Sequence, residues 1–123
     1  MNYLAHAYLS FNEPEVLVGN MISDFIKGKK QFDFTGNIHK GIMLHRKIDA
    51  FTDEHETTKQ AKLFFKPAVG LYAGAFVDVV YDHVLACDNN EFKDEGLLNF
   101  SLSVYKTLSE YANVLPAKFA LMF

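Results

Sequence analysis

The stretch from Gly41 to Asp53, GIMLHRKIDAFTD, combines side chains that bind metals with a side chain that binds phosphate. His45, Asp49 and Asp53 are spaced four apart, so on a helix one imidazole and two carboxylates would project from one face. Imidazole and carboxylate groups are common ligands of divalent metals. Arg46 carries a planar set of donors that suits phosphate. The stretch could therefore hold a divalent metal together with the phosphate on which the metal acts.

A structural interpretation of the same residues stays open. Charged side chains on one helix face are usually solvated and ion-paired, and such pairs add little stability. Asp53 with Glu56 three residues later approximates a capping box, which would place Asp53 at the start of the next helix. Arg46 could neutralise Asp49 or Asp78 in a structural ion pair instead of binding phosphate.

Further candidate ligands lie in other segments that are patterned as apolar helices. Asp24 lies beside the apolar stripe of PEVLVGNMISDFIK, and Asp78 and Asp82 are one turn apart in PAVGLYAGAFVDVVYDHVLAC. A buried carboxylate without a partner is costly, and two such groups one turn apart repel each other. A metal cation would remove that repulsion. Asp24, His45 and Asp82 are therefore predicted to converge within the reach of one metal.

The apolar residues recur with helical spacing, and proline and glycine separate the segments. Helices are predicted over 2–11, from Pro14 to about Lys27, over 37–51, after Asp53, from Pro67 to Cys87 and over 91–113. The helix that begins at Pro67 is apolar nearly all round, which predicts a central position in its bundle. His6, in the first helix, reads by itself as a core histidine that donates to a backbone carbonyl. The pattern as a whole predicts an all-α, single-domain helical bundle.

Length and composition narrow the class of protein. The 123 residues allow one domain with one core, and half of them are apolar, as in ordinary soluble domains. A formal net charge of -3 does not indicate a surface that binds nucleic acid. No uninterrupted apolar run approaches the ~20 residues that span a bilayer, so no membrane partner is expected. Cys87, the single cysteine, is predicted to be a small buried hydrophobe in a reducing, cytoplasmic protein.

The motifs of several enzyme classes are missing from the sequence. It contains no GxxxxGK[ST], GxGxxG or GxSxG sequence and no cysteine cluster, which argues against a P-loop, a Rossmann site, a nucleophile elbow and a zinc finger. Metal-assisted hydrolysis is the chemistry that remains, in which a metal activates a bound water and holds a phosphoryl oxygen.

Four sequence blocks together resemble the acyl carrier protein phosphodiesterases, which are assigned to the wider HD phosphohydrolase group of all-helical metal enzymes. The blocks are MNYLAHAYLS at the N-terminus, GNMISDFIKG (19–28), GIMLHRKIDAFTD (41–53) and FVDVVYDH (76–83). The resemblance implies an HD-domain-like bundle and a manganese-dependent enzyme. Its reaction would remove 4′-phosphopantetheine from holo-acyl carrier protein by hydrolysing the phosphodiester to the carrier's serine.

The resemblance also implies site residues. The implied metal ligands are His6, Asp24, His45, Asp82 and His83. The predicted catalytic residues are Asp24, His45 and Asp49, which match positions of the family, together with Arg46, which is predicted from its phosphate-binding donors and its position beside His45. The order Asp82-His83 reverses the His-Asp pair of the HD group, so ligand assignments from distant HD enzymes do not transfer. The acidic carrier protein would be recruited by a local basic patch, formed by Lys27, Lys29, Lys30, Arg46 and Lys47.

Members of that family continue past the end of this chain with further helices. The single helical domain over 1–123 is therefore expected to lack the family's C-terminal helices, and the apolar face left uncovered is expected to pair with a second copy. Two alternatives stay open. One is a metal-dependent phosphohydrolase that acts on a nucleotide or another small phosphoester. The other is a non-catalytic helical binding module whose His and Asp residues are structural.

Overall fold

The computed structural model describes residues 2–123, and over that range it contains helices and no strand. The predicted all-α class is confirmed, whereas the HD-domain-like arrangement stays a prediction. Short 3-10 helices and loops join seven α-helices. These helices are α1 (Tyr3–Tyr8), α2 (Pro14–Ile22), α3 (Gly36–Glu54), α4 (Glu56–Val69), α5 (Ala73–Ala86), α6 (Gly96–Glu110) and α7 (Ala117–Met122).

Helices α2 and α3 form the most extensive helix contact, and they cross at two glycines. A Cβ atom built on Gly19 would lie 2.0 Å from the carbonyl oxygen of Ile38, and one built on Gly41 would lie 2.2 Å from the carbonyl oxygen of Val16. Both distances are far below van der Waals contact, so only residues without a side chain allow this approach. The crossing brings the backbone of α2 within reach of side chains that α3 presents one turn after Gly41.

The hydrophobic core surrounds this crossing. Val18 and Ile22 of α2 and Ile42 of α3 are fully buried, and Leu108 of α6 and Phe119 of α7 close the core from the other side. Burying an aliphatic or aromatic side chain of this size stabilises the fold by roughly 1.5–3 kcal/mol. The core thus fixes the positions of α2 and α3, which carry most of the candidate site.

Several helix boundaries differ from the sequence prediction. Helix α2 ends at Ile22, and a 3-10 helix over Ser23–Phe25 continues the chain and carries Asp24. Helix α3 extends through Asp53, so the predicted capping box at that residue is wrong. His55 takes the capping role, because its Nδ1 accepts a hydrogen bond of 3.1 Å from the Thr57 amide. His55 is exposed, as predicted, and Asp53 forms an ion pair with Lys62 on α4 at 3.6 Å.

Helices α4 and α5 pack against each other as a hairpin. The prediction that Pro67 begins a helix is wrong, because Pro67 lies inside the last turns of α4. The chain reverses at Gly70, whose φ of 59° belongs to a region that glycine adopts without strain. A 3-10 helix over Gly70–Tyr72 forms the turn, and α5 begins directly after it, at Ala73.

Helix α5 is not the central helix that its composition predicts. Ala73 and Val77 are its buried residues, whereas Val79 and Val84 are more than half exposed. Cys87, predicted to be buried, is exposed as well. The two predictions failed for one reason: apolar composition does not show whether another element covers a given helix face.

The hairpin also bears on the expectation about membranes. By length and composition alone, the helical run Glu56–Ala86 is long and apolar enough to cross a bilayer. Its most apolar stretch of 18 residues has a mean hydropathy of 1.5, and 11% of that stretch is buried. The reversal at Gly70 divides this run into two helices of 14 residues each. Each helix is shorter than the ~20 residues that a transmembrane helix needs. The expected lack of a membrane partner stays a prediction.

Candidate metal centre

The ring of His45, on α3, is oriented by α2. Its Nδ1 lies 2.8 Å from the backbone oxygen of Asn20 and 3.2 Å from the side-chain oxygen of the same residue. A carbonyl oxygen can only accept a hydrogen bond, so Nδ1 of His45 carries a proton and donates it. The lone pair of the neutral ring is therefore on Nε2.

Two carboxylates meet at that second nitrogen. Nε2 of His45 lies 3.2 Å from an oxygen of Asp24 and 3.2 Å from an oxygen of Asp49. A lone pair that faces two carboxylates is repelled by both of them. A cation at this nitrogen, either a second proton or a metal ion, turns the repulsion into attraction. The geometry is thus that of a site that binds a cation.

His6 completes the arrangement from α1. Its Nε2 lies 3.0 Å from the other oxygen of Asp49, so one carboxylate contacts both histidines. The two rings stack with their centroids 3.7 Å apart and their planes 7° from parallel. His6 is 1% exposed, and its Nδ1 has no hydrogen-bond partner among residues 2–123. The stacking directs both Nε2 atoms towards the same side of the cluster.

The spacing of these groups suits a single metal ion. One ligand atom from each of His6, His45 and Asp49 can be chosen so that all three lie within 4.8 Å of one another. With bonds of about 2.0–2.2 Å, two ligands of one metal are at most roughly 4.4 Å apart, so small side-chain movements suffice. Asp24, which is exposed, contacts Nε2 of His45 and could add a fourth ligand. Imidazole with carboxylate suits manganese, iron or zinc.

The protonation of the cluster is uneven. Burial disfavours a charge on His45, but the hydrogen bond and charge of Asp24, with the charge of Asp49, raise the pKa of His45 above its usual value. The same hydrogen bond lowers the pKa of Asp24. Burial, followed by the charge of His45, lowers the pKa of His6. His6 is therefore held neutral, which is the form of histidine that binds a metal.

Asp82 binds the backbone at the start of α1. Its two carboxylate oxygens accept hydrogen bonds from the amides of Leu4 (2.9 Å) and Ala5 (3.0 Å). It thereby satisfies two free amides in the first turn of α1, directly before His6. The structure brings Asp24 and His45 together as predicted, but within residues 2–123 the group with metal-ligand spacing does not include Asp82.

Two other predicted site residues also make different contacts. His83 is exposed on α5, where its Nε2 lies 3.8 Å from Sγ of Cys87, and it is outside the described ligand group. Arg46 is half-buried and donates from Nη2 to the carbonyl oxygen of Ile26 at 3.0 Å. That bond ties α3 to the segment directly after Asp24. The phosphate role of Arg46 stays a prediction.

One residue of the site was missed in the sequence. Asn20 is completely buried, yet it lies in the apolar run VLVGNMI. A buried amide needs several hydrogen bonds, so an asparagine amid such a run is a signal for a polar role in the core. The sequence could have provided that signal, although not the identity of the partners.

Comparison with known proteins gives a consistent result. The family model described as acyl carrier protein phosphodiesterase matches residues 1–123. Proteins of that name from Klebsiella pneumoniae subsp. pneumoniae and Pectobacterium atrosepticum are 38% and 37% identical over 86 residues, and each match covers 70% of this chain. These matches cover 45% of the two relatives, so the chain corresponds to less than half of their length. No solved structure matches.

Proposed function

Because the chain belongs to the acyl carrier protein phosphodiesterase family, we propose that it is a metal-dependent phosphodiesterase that removes 4′-phosphopantetheine from holo-acyl carrier protein. The observation that carries the proposal is the meeting of His6, His45 and Asp49 at metal-ligand spacing. A helical binding module would not need two stacked, buried histidines on one half-buried carboxylate. That difference favours the enzyme over the non-catalytic alternative.

The residues divide into two groups by exposure. His6 and His45 are buried, and together with the half-buried Asp49 they would hold the metal, which we propose to be manganese. When bound, the metal supplies an activated water and a positive charge for a phosphoryl oxygen. Asp24 is exposed, with 66% of its side chain accessible, so it is the member of the cluster that a substrate meets first. Its carboxylate is available to orient a water or to accept its proton.

The carrier protein would approach over the segment beside Asp24. Lys27, Lys29 and Lys30 are exposed there, in and next to a 3-10 helix over Gly28–Asp33. Their charge contrasts with the overall net charge of -3, so attraction of an acidic partner would be local. This placement supports the proposed patch near the rim of the metal centre.

The proposed reaction can be measured directly. The purified chain is incubated with holo-acyl carrier protein, and release of phosphopantetheine is followed by mass spectrometry with added Mn²⁺ or with a chelator. We expect release that requires the metal and is lost in His45→Ala. Turnover of nucleotides without release from the carrier would favour the small-phosphoester alternative. No turnover of either, with no bound metal, would contradict the proposal.

We also propose that two copies associate through apolar surface. An open groove of about 830 Å³ lies between α1, α6 and α7, and apolar side chains such as Val104, Tyr105 and Phe123 line it. Leu71, in the turn between α4 and α5, and Leu121, on α7, are almost fully exposed. Large exposed apolar patches are typical of interaction sites. Light scattering is expected to give the mass of a dimer, and a stable monomer would contradict this proposal.

A further inference from the structure

Asn20 links the two helices that carry the histidines of the site. Its side-chain nitrogen donates to the backbone oxygen of His6 at 2.9 Å and to the hydroxyl of Ser10 at 3.1 Å. Its side-chain oxygen and its backbone oxygen both accept from Nδ1 of His45. The side chain is completely buried, so water does not compete for these bonds.

The orientation of the amide follows from these partners. The backbone oxygen of His6 can only accept, and the Ser10 hydroxyl already donates to that same oxygen at 2.8 Å. The nitrogen of Asn20 must therefore face α1, which directs its oxygen towards His45. Only an amide provides donors on one side and an acceptor on the other. Aspartate would keep the acceptor and lose the donors, and alanine would lose both.

We infer that Asn20 is a positioning residue for the proposed metal centre: it keeps the proton of His45 on Nδ1, so that Nε2 stays directed at Asp24 and Asp49. This inference rests on the proposed function for the metal, but not for the orientation of the ring. Hydrogen-bond partners of this kind fix the tautomer of a metal-binding histidine, and their loss typically lowers metal affinity 10–100-fold. The backbone oxygen of Asn20 remains in every variant, so the effect belongs at the lower end of that range.

The test compares three variants of the full chain. Asn20→Ala removes the side chain, and Asn20→Asp keeps the acceptor that faces His45. Ser10→Ala removes a partner of Asn20 that does not contact His45. Two quantities are measured: the tautomer of His45 from the ¹⁵N shifts of its ring in the metal-free protein, at a pH high enough to leave that ring neutral, and the affinity for Mn²⁺ by calorimetry. Circular dichroism establishes that each variant is folded.

We expect Asn20→Ala to mix the two tautomers of His45 and to weaken Mn²⁺ binding about tenfold. Asn20→Asp and Ser10→Ala are expected to keep the Nδ1 proton. If Asn20→Ala folds and keeps both the tautomer and the affinity of the wild type, the inference is overturned. If Asn20→Ala does not fold, Asn20→Asp decides, because loss of the Nδ1 proton in that variant would overturn it. A wild type that binds no Mn²⁺ refutes the proposed metal centre alone, since the tautomer still tests the role of Asn20.

Discussion

The imidazole rings of His6 and His45 lie stacked and nearly parallel, with centroids 3.7 Å apart, although the two residues are 39 positions apart in the sequence. Two protonated rings at this distance would repel each other strongly. The pKa of His6 is lowered, first by burial and then by the charge of His45, whereas the carboxylates of Asp24 and Asp49 raise the pKa of His45, so His45 gains a second proton before His6 does. The pair is therefore able to present one neutral nitrogen and one replaceable proton to an incoming metal.

The role of Asp49 can be separated from that of a nearby acid on the same helix. Asp49→Asn replaces one carboxylate oxygen that faces the histidines, so we expect the affinity for Mn²⁺ to fall by more than about tenfold. Asp53→Asn, one turn further along α3, is the matched control because Asp53 pairs with Lys62 at the surface. The thermal shift caused by Mn²⁺ measures both variants. Equal shifts in the two variants would remove Asp49 from the site.

The ion pair of Asp24 with His45 predicts how the metal-free protein responds to pH. The folded pKa of Asp24 is lowered, so its contribution to stability exists above the unfolded value near 4 and is lost as the pH falls through the folded value. The folded pKa of His45 is raised, so its contribution exists below about 6.5 and is lost as the pH rises through the folded value. The pair is thus complete between roughly pH 4 and 6.5.

Asp24→Asn tests this window. The difference in unfolding free energy between the wild type and this variant, measured by urea denaturation in the presence of a chelator, is expected to be greatest inside the window. It should shrink on both sides of it. A difference that does not change between pH 3 and pH 9 would show that the two residues do not share a proton in the folded state.

Replacing a glycine by alanine is expected to destabilise the protein at the crossing of α2 and α3 but not in α5. Gly19→Ala places a Cβ 2.0 Å from a backbone oxygen, and overpacking of this kind costs typically 1–3 kcal/mol and occasionally more. Gly74→Ala in α5 is the control, because its nearest neighbour is the flexible end of Lys62 at 3.7 Å. We expect that variant to be as stable as the wild type, or more stable by up to about 1 kcal/mol. Thermal unfolding of both proteins measures the contrast.

Asp82 allows its two assigned roles to be compared. If it stabilises α1 by accepting from Leu4 and Ala5, Asp82→Asn should lower the free energy of unfolding by about 1 kcal/mol. We expect that loss together with a change in Mn²⁺ affinity of less than tenfold. A variant of normal stability that no longer binds Mn²⁺ would restore Asp82 as a ligand, as the family resemblance of the sequence implies.

The sequence predicted those features that depend on local spacing. Helical periodicity predicted the all-α class. The four-residue interval between His45 and Asp49 predicted that they share one helix face, and in the structure the two side chains contact each other there. Contacts between distant segments were harder to predict. Neither the capping of α1 by Asp82 nor the link from Asn20 to His45 follows from any periodicity, because each depends on which helices meet. The exposure of α5 was mispredicted for the same reason.

The bonds from Asp82 to the amides of Leu4 and Ala5 join positions 78 and 77 apart, whereas those from Asn20 to His45 join positions 25 apart. Closing the longer loop costs more chain entropy, so the bonds from Asp82 are expected to form after α2 and α3 have met. The first turn of α1, directly before His6, would then be capped late in folding, and a partly folded chain would offer a metal a less well-ordered site. Pulsed hydrogen exchange should show the Leu4 and Ala5 amides gaining protection after those of α2.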